Sequence, residues 1–245
     1  MKILTALFVL LNIISCKSQE KVIQFTNLFN EGTNIDFTPS DLNKDIPEIK
    51  IFKEKLEAFL NESPQEDFNI NNLSYLINNE TFFDLQYYTD SSWLQYFILK
   101  YKIDAKNLNS LMNLAIHQED YNAIKILIDN HYIISEKDLQ TSNEAKQESE
   151  DKIQANKDDG YESYVVSKSR INQIDKLLKG SYSKNHIQDP DGYTNLRKDK
   201  TTTSEVLQKI KSGEHIDVLD NSRDWFLVKT KEGKQGYIFR NRVKN

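Results

Sequence analysis

The chain opens on an apolar run, Ile3 to Leu11, that follows a single Lys2 and leads into Ile13-Ile14-Ser15-Cys16. The run is too short to span a bilayer as a helix in the finished protein, and reads as a targeting segment. The polar, Asn-rich stretch from Lys17 to about Ser40 is weakly periodic and suits a tether. From Ile46 the pattern takes the helical period: Ile49, Phe52, Leu56, Phe59 and Leu60 line one face, and Pro47 falls in the first turn, where its missing N–H costs nothing. Ser63-Pro64 interrupts it. Three more apolar groups, Phe68 to Ile77, Phe82 to Tyr88 and Trp93 to Tyr101, are divided by Asn-rich and Thr-Asp-Ser punctuation, as short helices joined by turns would be.

A faint internal repeat runs through the middle of the chain. WLQYFILKYKIDAKNL lies over IKILIDNHYIISEKDL, with Leu94 on Ile124, Ile103 on Ile133 and, after a gap, Leu108 on Leu139. The stretch LMNLAIHQEDYNAIKILIDNHYIIS resembles an ankyrin repeat. That resemblance implies an inner helix packed through Leu111, Leu114 and Ala115, a tight turn at Gln118-Glu119-Asp120, and an outer helix packed through Ile124, Leu127 and Ile128. Helical hairpins packed as a bundle give the same periodicity. Ser135 to Asp138 has the form of a helix N-cap with an acid three residues on, and the Glu- and Lys-rich run to about Asp159 predicts a long solvated helix. Lys157-Asp158-Asp159-Gly160 stops it. Apolar spacing then resumes at Val165, Ile171, Ile174, Leu177 and Leu178, with Gly180 as the expected C-cap.

Beyond Gly180 the period changes to two, with β-branched and aromatic residues between glycine turns. The successive signals are Gly192 to Arg197, Val206 to Ile210, the turn Lys211-Ser212-Gly213-Glu214, His215 to Leu219, Trp225 to Val228, the hairpin glycines Gly233 and Gly236, and Tyr237-Ile238 ahead of Val243. This pattern resembles the bacterial Src-homology-3 family, which implies a small all-β barrel. The loop Lys198 to Ser204 departs from the family: it is charged and threonine-rich where relatives carry Gly, Pro and Ser. The predicted architecture is thus multidomain α + β: a signal segment over 1–15, a tether over 16–45, an all-α helical-hairpin, ankyrin-like domain over 46–180, and an SH3-like barrel over 187–245.

Composition narrows the chemistry. The formal net charge of −5, one unit more negative without a leader carrying Lys2, argues against a broad grip on nucleic-acid phosphates. Cys16 is the single cysteine, so no internal disulfide can form. The small Ser15 before it resembles a bacterial lipoprotein signal, which implies that Cys16 carries the lipid. Lys17 lacks the acidic character that retains such proteins at the inner membrane, so the expected location is the cell envelope, at the outer membrane. No thiol remains for a cysteine-peptidase mechanism, and His117, His131, His186 and His215 show no metal-ligand spacing. A phosphate loop and a Gly-x-Ser-x-Gly elbow are both missing from the sequence. Pairs such as Glu119-Asp120 and Asp158-Asp159 read as turn and surface charges. No catalytic residue, metal or cofactor is expected.

The candidate ligand residues are Tyr193, Asn195, Arg197, Trp225, Tyr237, Phe239 and Arg240. Aromatic rings stack on sugar or peptide while amide and guanidinium groups fix polar atoms. The simpler expectation for Trp225 is barrel core, because a large ring opening a central strand is usually buried. The expected partners are a cell-wall peptide or glycan, or a protein, for the barrel, a protein for the helical part, and a membrane through the lipid, with no nucleic acid. The alternative is an inhibitor or immunity lipoprotein whose helical stack blocks a toxin or enzyme.

Overall fold

The structure, a computed structural model, describes residues 38–62, 73–74, 76–78, 91–158 and 170–245. The targeting segment, Cys16, most of the tether, the Ser63-Pro64 break, most of the Phe68 to Ile77 group, the Phe82 to Tyr88 group and Val165 lie outside these residues. Six helices are described: α1 (Pro47–Glu62), α2 (Ser92–Lys100), α3 (Asn109–His117), α4 (Tyr121–Asp129), α5 (Glu136–Asp158) and α6 (Ile171–Tyr182). Seven strands follow: β1 (His186–Ile187), β2 (Tyr193–Arg197), β3 (Val206–Lys211), β4 (Ile216–Asp220), β5 (Trp225–Thr230), β6 (Gln235–Phe239) and β7 (Val243–Lys244). Among the described residues no helix is long and apolar enough to cross a membrane. The chain divides into two compact units, residues 1–76 with 84–97, and residues 77–83 with 98–245.

In the first unit, the 3₁₀ turn Pro39–Asn43 occupies the end of the range expected to be tether. Its folding is local: Thr38 N–H donates to Asp41 Oδ2 at 2.7 Å and Lys44 Nζ lies 2.5 Å from Asp41 Oδ1. These contacts, that of Lys44 foremost, hold the Asp41 carboxyl down at about 2. On α1, Ile49, Phe52 and Leu56 are buried as their spacing requires, and the Phe52 ring meets Trp93 edge-on at 5.4 Å between centroids.

In the second unit, α3 and α4 form a hairpin whose helix ends close in the same left-handed way. Asp120 N–H reaches Ala115 O and Glu119 N–H reaches Ile116 O, with Glu119 at φ 53°. Tyr132 N–H likewise reaches Leu127 O, with His131 at φ 71°, and Ile103 N–H reaches Ile98 O at the end of α2, with Lys102 at φ 50°. Glycine normally takes this position; here three longer side chains do. Asp120 then caps α4 by accepting Ala123 N–H at 2.9 Å, and Ser135 and Asp138 form the expected reciprocal cap on α5.

Two helical expectations are corrected. Helix α5 is not solvated all round: Asp138, Ser142, Ala145 and Ser149 are buried along one stripe, and the helix packs on α3, α6 and β4. Helix α6 passes through Gly180 to Tyr182, because Ser183 remains right-handed at the C-cap and its hydroxyl donates to Gly180 O at 3.0 Å.

The C-terminal strands form a five-stranded antiparallel sheet in the order β3-β2-β6-β5-β4, beside a two-stranded ladder of β1 and β7. Leu196, Ile210, Ile216, Val218, Phe226, Val228 and Ile238 supply its core, together with Ile187 and Val243 of the ladder. A tenth member, Ile133, comes from the turn before α5 and is fully buried. Three asparagine side chains grip this turn at consecutive carbonyls: Asn245 donates to Tyr132 O at 2.9 Å, Asn221 to Ile133 O at 2.5 Å and Asn185 to Ile134 O at 2.8 Å. The change of period between 180 and 187 therefore falls inside one packed unit. At Gly236 the strands β6 and β2 approach closely, so that a Cβ would lie 2.6 Å from Arg197 O.

A lysine also joins the helical part to the sheet. Lys106, on the 3₁₀ turn Ala105–Asn107, is 8% exposed, and its ammonium donates to Arg240 O and Val243 O at 3.1 Å each. Burial, followed by the charge of Lys244, pushes it down to about 8.

Candidate functional site

Alternation sets the outward face of the sheet. In β2, Thr194 and Leu196 turn inward, leaving Tyr193, Asn195 and Arg197 outside; in β5 and β6, Phe226, Val228 and Ile238 turn inward, leaving Trp225, Leu227, Tyr237 and Phe239 outside. Register then brings the outward residues together, with Trp225 opposite Phe239 and Arg197 opposite Tyr237. Trp225 and Phe239 meet edge-to-face at 5.5 Å. Trp225 is half-buried, which corrects its expected place in the core: Phe226, the next residue, fills that position.

These residues frame a groove of about 290 Å³, lined by Tyr193, Asn195, Arg197, Trp225 and Phe239 together with Asp189, Thr202 and Arg242. Asn195 Oδ1 is buried in this setting and accepts no hydrogen bond from the described residues. Arg197 is held in place by donating to Ser204 O at 2.8 Å. The charged loop Lys198 to Ser204 is held by its own hydrogen bonds. Lys198 N–H donates to Glu205 O, Asp199 N–H donates to Ser204 Oγ at 2.8 Å, and Thr202 contributes to the groove wall.

Two of the seven expected residues stand apart from the lining. Tyr237 lies alongside, with Lys200 Nζ 5.1 Å from its ring centroid. Arg240 turns toward the helical part: its guanidinium pairs with Asp104 and Asp224 at 3.3 Å each and donates to Asn107 Oδ1. Its role is therefore to join parts of the fold. Sequence reasoning missed the pair Asp189 and Arg242, joined at 3.1 Å in the groove lining. The only hint of Asp189 was its place in the Asp-Pro-Asp-Gly turn.

A second, larger cleft of about 520 Å³ lies among α3, α5 and the β4–β5 turn, lined by Asn109, Asn113, Asp138, Thr141, Glu144 and Asn221 with other polar side chains. Its floor is already satisfied. Asn109 donates to Asn221 Oδ1 at 2.6 Å and to the Tyr132 hydroxyl at 3.1 Å, and that hydroxyl donates to Asp138 Oδ1 at 3.0 Å. Burial pushes the Asp138 carboxyl up, against the four hydrogen bonds that favour its ionised form. The smaller groove, with aromatic walls and Asn195 among its lining, is the better ligand site. Among the described residues no group of three His, Cys, Asp or Glu is placed to hold a metal.

Residues 192–244 match the bacterial SH3 domain family, a match covering well under half of the chain. No curated protein and no solved structure matches the chain significantly.

Proposed function

We propose that this protein is a non-catalytic binding module of the bacterial envelope, anchored by a lipid on Cys16, whose SH3 domain takes a cell-wall peptide or glycan in the groove of β2, β5 and β6. The observation that carries this reading is the convergence of Tyr193, Trp225 and Phe239 around Asn195. Rings give broad contact to a sugar or peptide backbone, and the Asn195 side chain in the lining adds a polar amide to that contact. Tyr237 borders this site, Arg197 supplies a fixed cation at its edge, and the helical part faces a protein partner.

Retention of the purified mature protein on washed peptidoglycan tests this reading. The native protein is retained, and Trp225→Ala and Asn195→Ala each lower retention by about tenfold, the loss of roughly 1.4 kcal/mol. Equal retention of both variants would remove the groove from the interaction. Loss of acyl labelling in Cys16→Ser checks the anchor.

The polar cleft of α3 and α5 favours a second reading, an inhibitor or immunity lipoprotein that blocks a toxin or enzyme. A tight soluble complex with the product of a neighbouring toxin-like reading frame, without retention on peptidoglycan, would select it.

A further inference from the structure

Charge is unevenly divided along this chain. Residues 192–245 carry a formal net charge of +5, whereas residues 1–191 carry −10. Such asymmetry marks one part of a molecule for a charged ligand that the rest would repel. Several of the sheet's cations are neutralised in place: Lys198 by Glu205, Lys229 by Asp217, Lys231 by Glu214, Arg240 by Asp104 and Asp224, and Arg242 by Asp189.

Lys200, Lys209 and Lys211 have no carboxylate within ion-pairing distance among the described residues. All three lie beside the groove. Antiparallel register sets Lys211 opposite Tyr193 and Lys209 opposite Asn195, on the same outward face. Lys209 Nζ sits 4.3 Å from the Tyr193 ring centroid, and Lys200 is held over Tyr237. Those rings fix the ammonium groups without cancelling their charge. With Arg197, four cations flank the outward row of β2, spaced along the strand by roughly 7 Å for every second residue. The acids nearby are mostly engaged: Asp189 is paired with Arg242, Glu205 with Lys198 and Glu214 with Lys231 and the Lys211 N–H, while Asp191 is exposed and Asp199 adjoins Lys200.

We propose that the groove and this cationic margin form one site for an anionic glycan, a sugar chain carrying carboxylate or phosphodiester groups. A sugar ring lies against Trp225 and Phe239, and the acidic groups meet Arg197, Lys200, Lys209 and Lys211. A nucleic acid fits less well, because four cations beside Asp191 and Asp199 make a short charged margin and not the long basic face that a phosphate backbone needs. The inference rests on the groove reading and adds to it the charge of the ligand.

The test is a titration of the full chain followed by tryptophan fluorescence, in which Trp93, 1% exposed, is shielded and Trp225 reports the groove. The probes are polygalacturonate for carboxylates, phosphomannan for phosphodiesters, uncharged dextran, soluble peptidoglycan fragments and single-stranded DNA. The expected result is saturable quenching by one or both anionic glycans, weakened at least about tenfold between about 0.05 M and about 0.3 M NaCl. Lys200→Gln and Lys209→Gln each weaken that binding about threefold and make its salt dependence shallower by about one unit of slope. Quenching by dextran as strong as by the charged glycans, a salt-independent affinity, or tighter binding of DNA overturns the proposal. Quenching by peptidoglycan fragments alone also overturns it while leaving the groove reading intact, whereas no quenching by any probe removes both.

Discussion

Lys106 shows how a single residue couples the helical part to the sheet at an electrostatic cost. Its ammonium satisfies two carbonyls but has no carboxylate in direct contact, and burial lowers it from 10.5 to about 8. The unfolded chain therefore binds one more proton than the folded chain between those values, and stability must rise with pH across them. Charging the residue costs the fold at most about 3 kcal/mol, in full below about pH 8 and not at all above about pH 10.5. Urea unfolding of the native protein and Lys106→Met at successive pH values measures this. The stability of the native protein relative to the variant climbs from pH 8 to 10.5; a flat difference would mean that the ammonium is not desolvated.

At the scale of elements, strand β6 depends on one glycine. Gly236→Ala places a methyl group against Arg197 O and Leu196 Cγ, where only backbone and packed core can move. The expected cost is about 1–3 kcal/mol, read as a lower urea midpoint, with loss of ligand retention because Arg197 and Tyr237 are set by that pairing. Wild-type midpoint and retention in this variant would show that β2 and β6 have slack. The elements themselves were legible to different degrees. Helices α1, α3 and α4 announce themselves through large apolar residues at helical spacing, but the buried stripe of α5 is Asp138, Ser142, Ala145 and Ser149. Small and polar residues carry no hydropathy signal, so that helix looked solvated. The strands were plain from alternation, yet alternation does not say which phase is inward when both faces carry large residues. Trp225 and Leu227 compete with Phe226 and Val228 in β5, and the larger ring proved to be outside. Most of the groove followed from that alternation, since Tyr193, Asn195 and Arg197 share a face of β2. Arg240 did not, because its partners Asp104 and Asn107 are distant in sequence.

For the second unit as a whole, the consequence is that the C-terminal sheet and the helices before it share their stability. Ile133 fills the core of the sheet, and the three asparagines hold the turn that carries it. Ile133→Ala should cost about 2–5 kcal/mol and shift the sheet and the helices together. Far-UV circular dichroism reports the helices, and fluorescence of Trp225 in a Trp93→Phe background reports the sheet. A variant whose helical transition moves to lower denaturant while the Trp225 transition keeps its native midpoint would show two independently stable parts.

That shared framework leaves one face of the sheet for a ligand, and backbone amide shifts observed by NMR locate it most directly. On addition of soluble peptidoglycan fragments, a groove site requires the largest shift changes at Tyr193 to Arg197, Thr202, Trp225 and Phe239, with the α3 and α5 cleft unchanged. Changes concentrated at Asn113, Thr141 and Glu144, or none at saturating fragment, would contradict it.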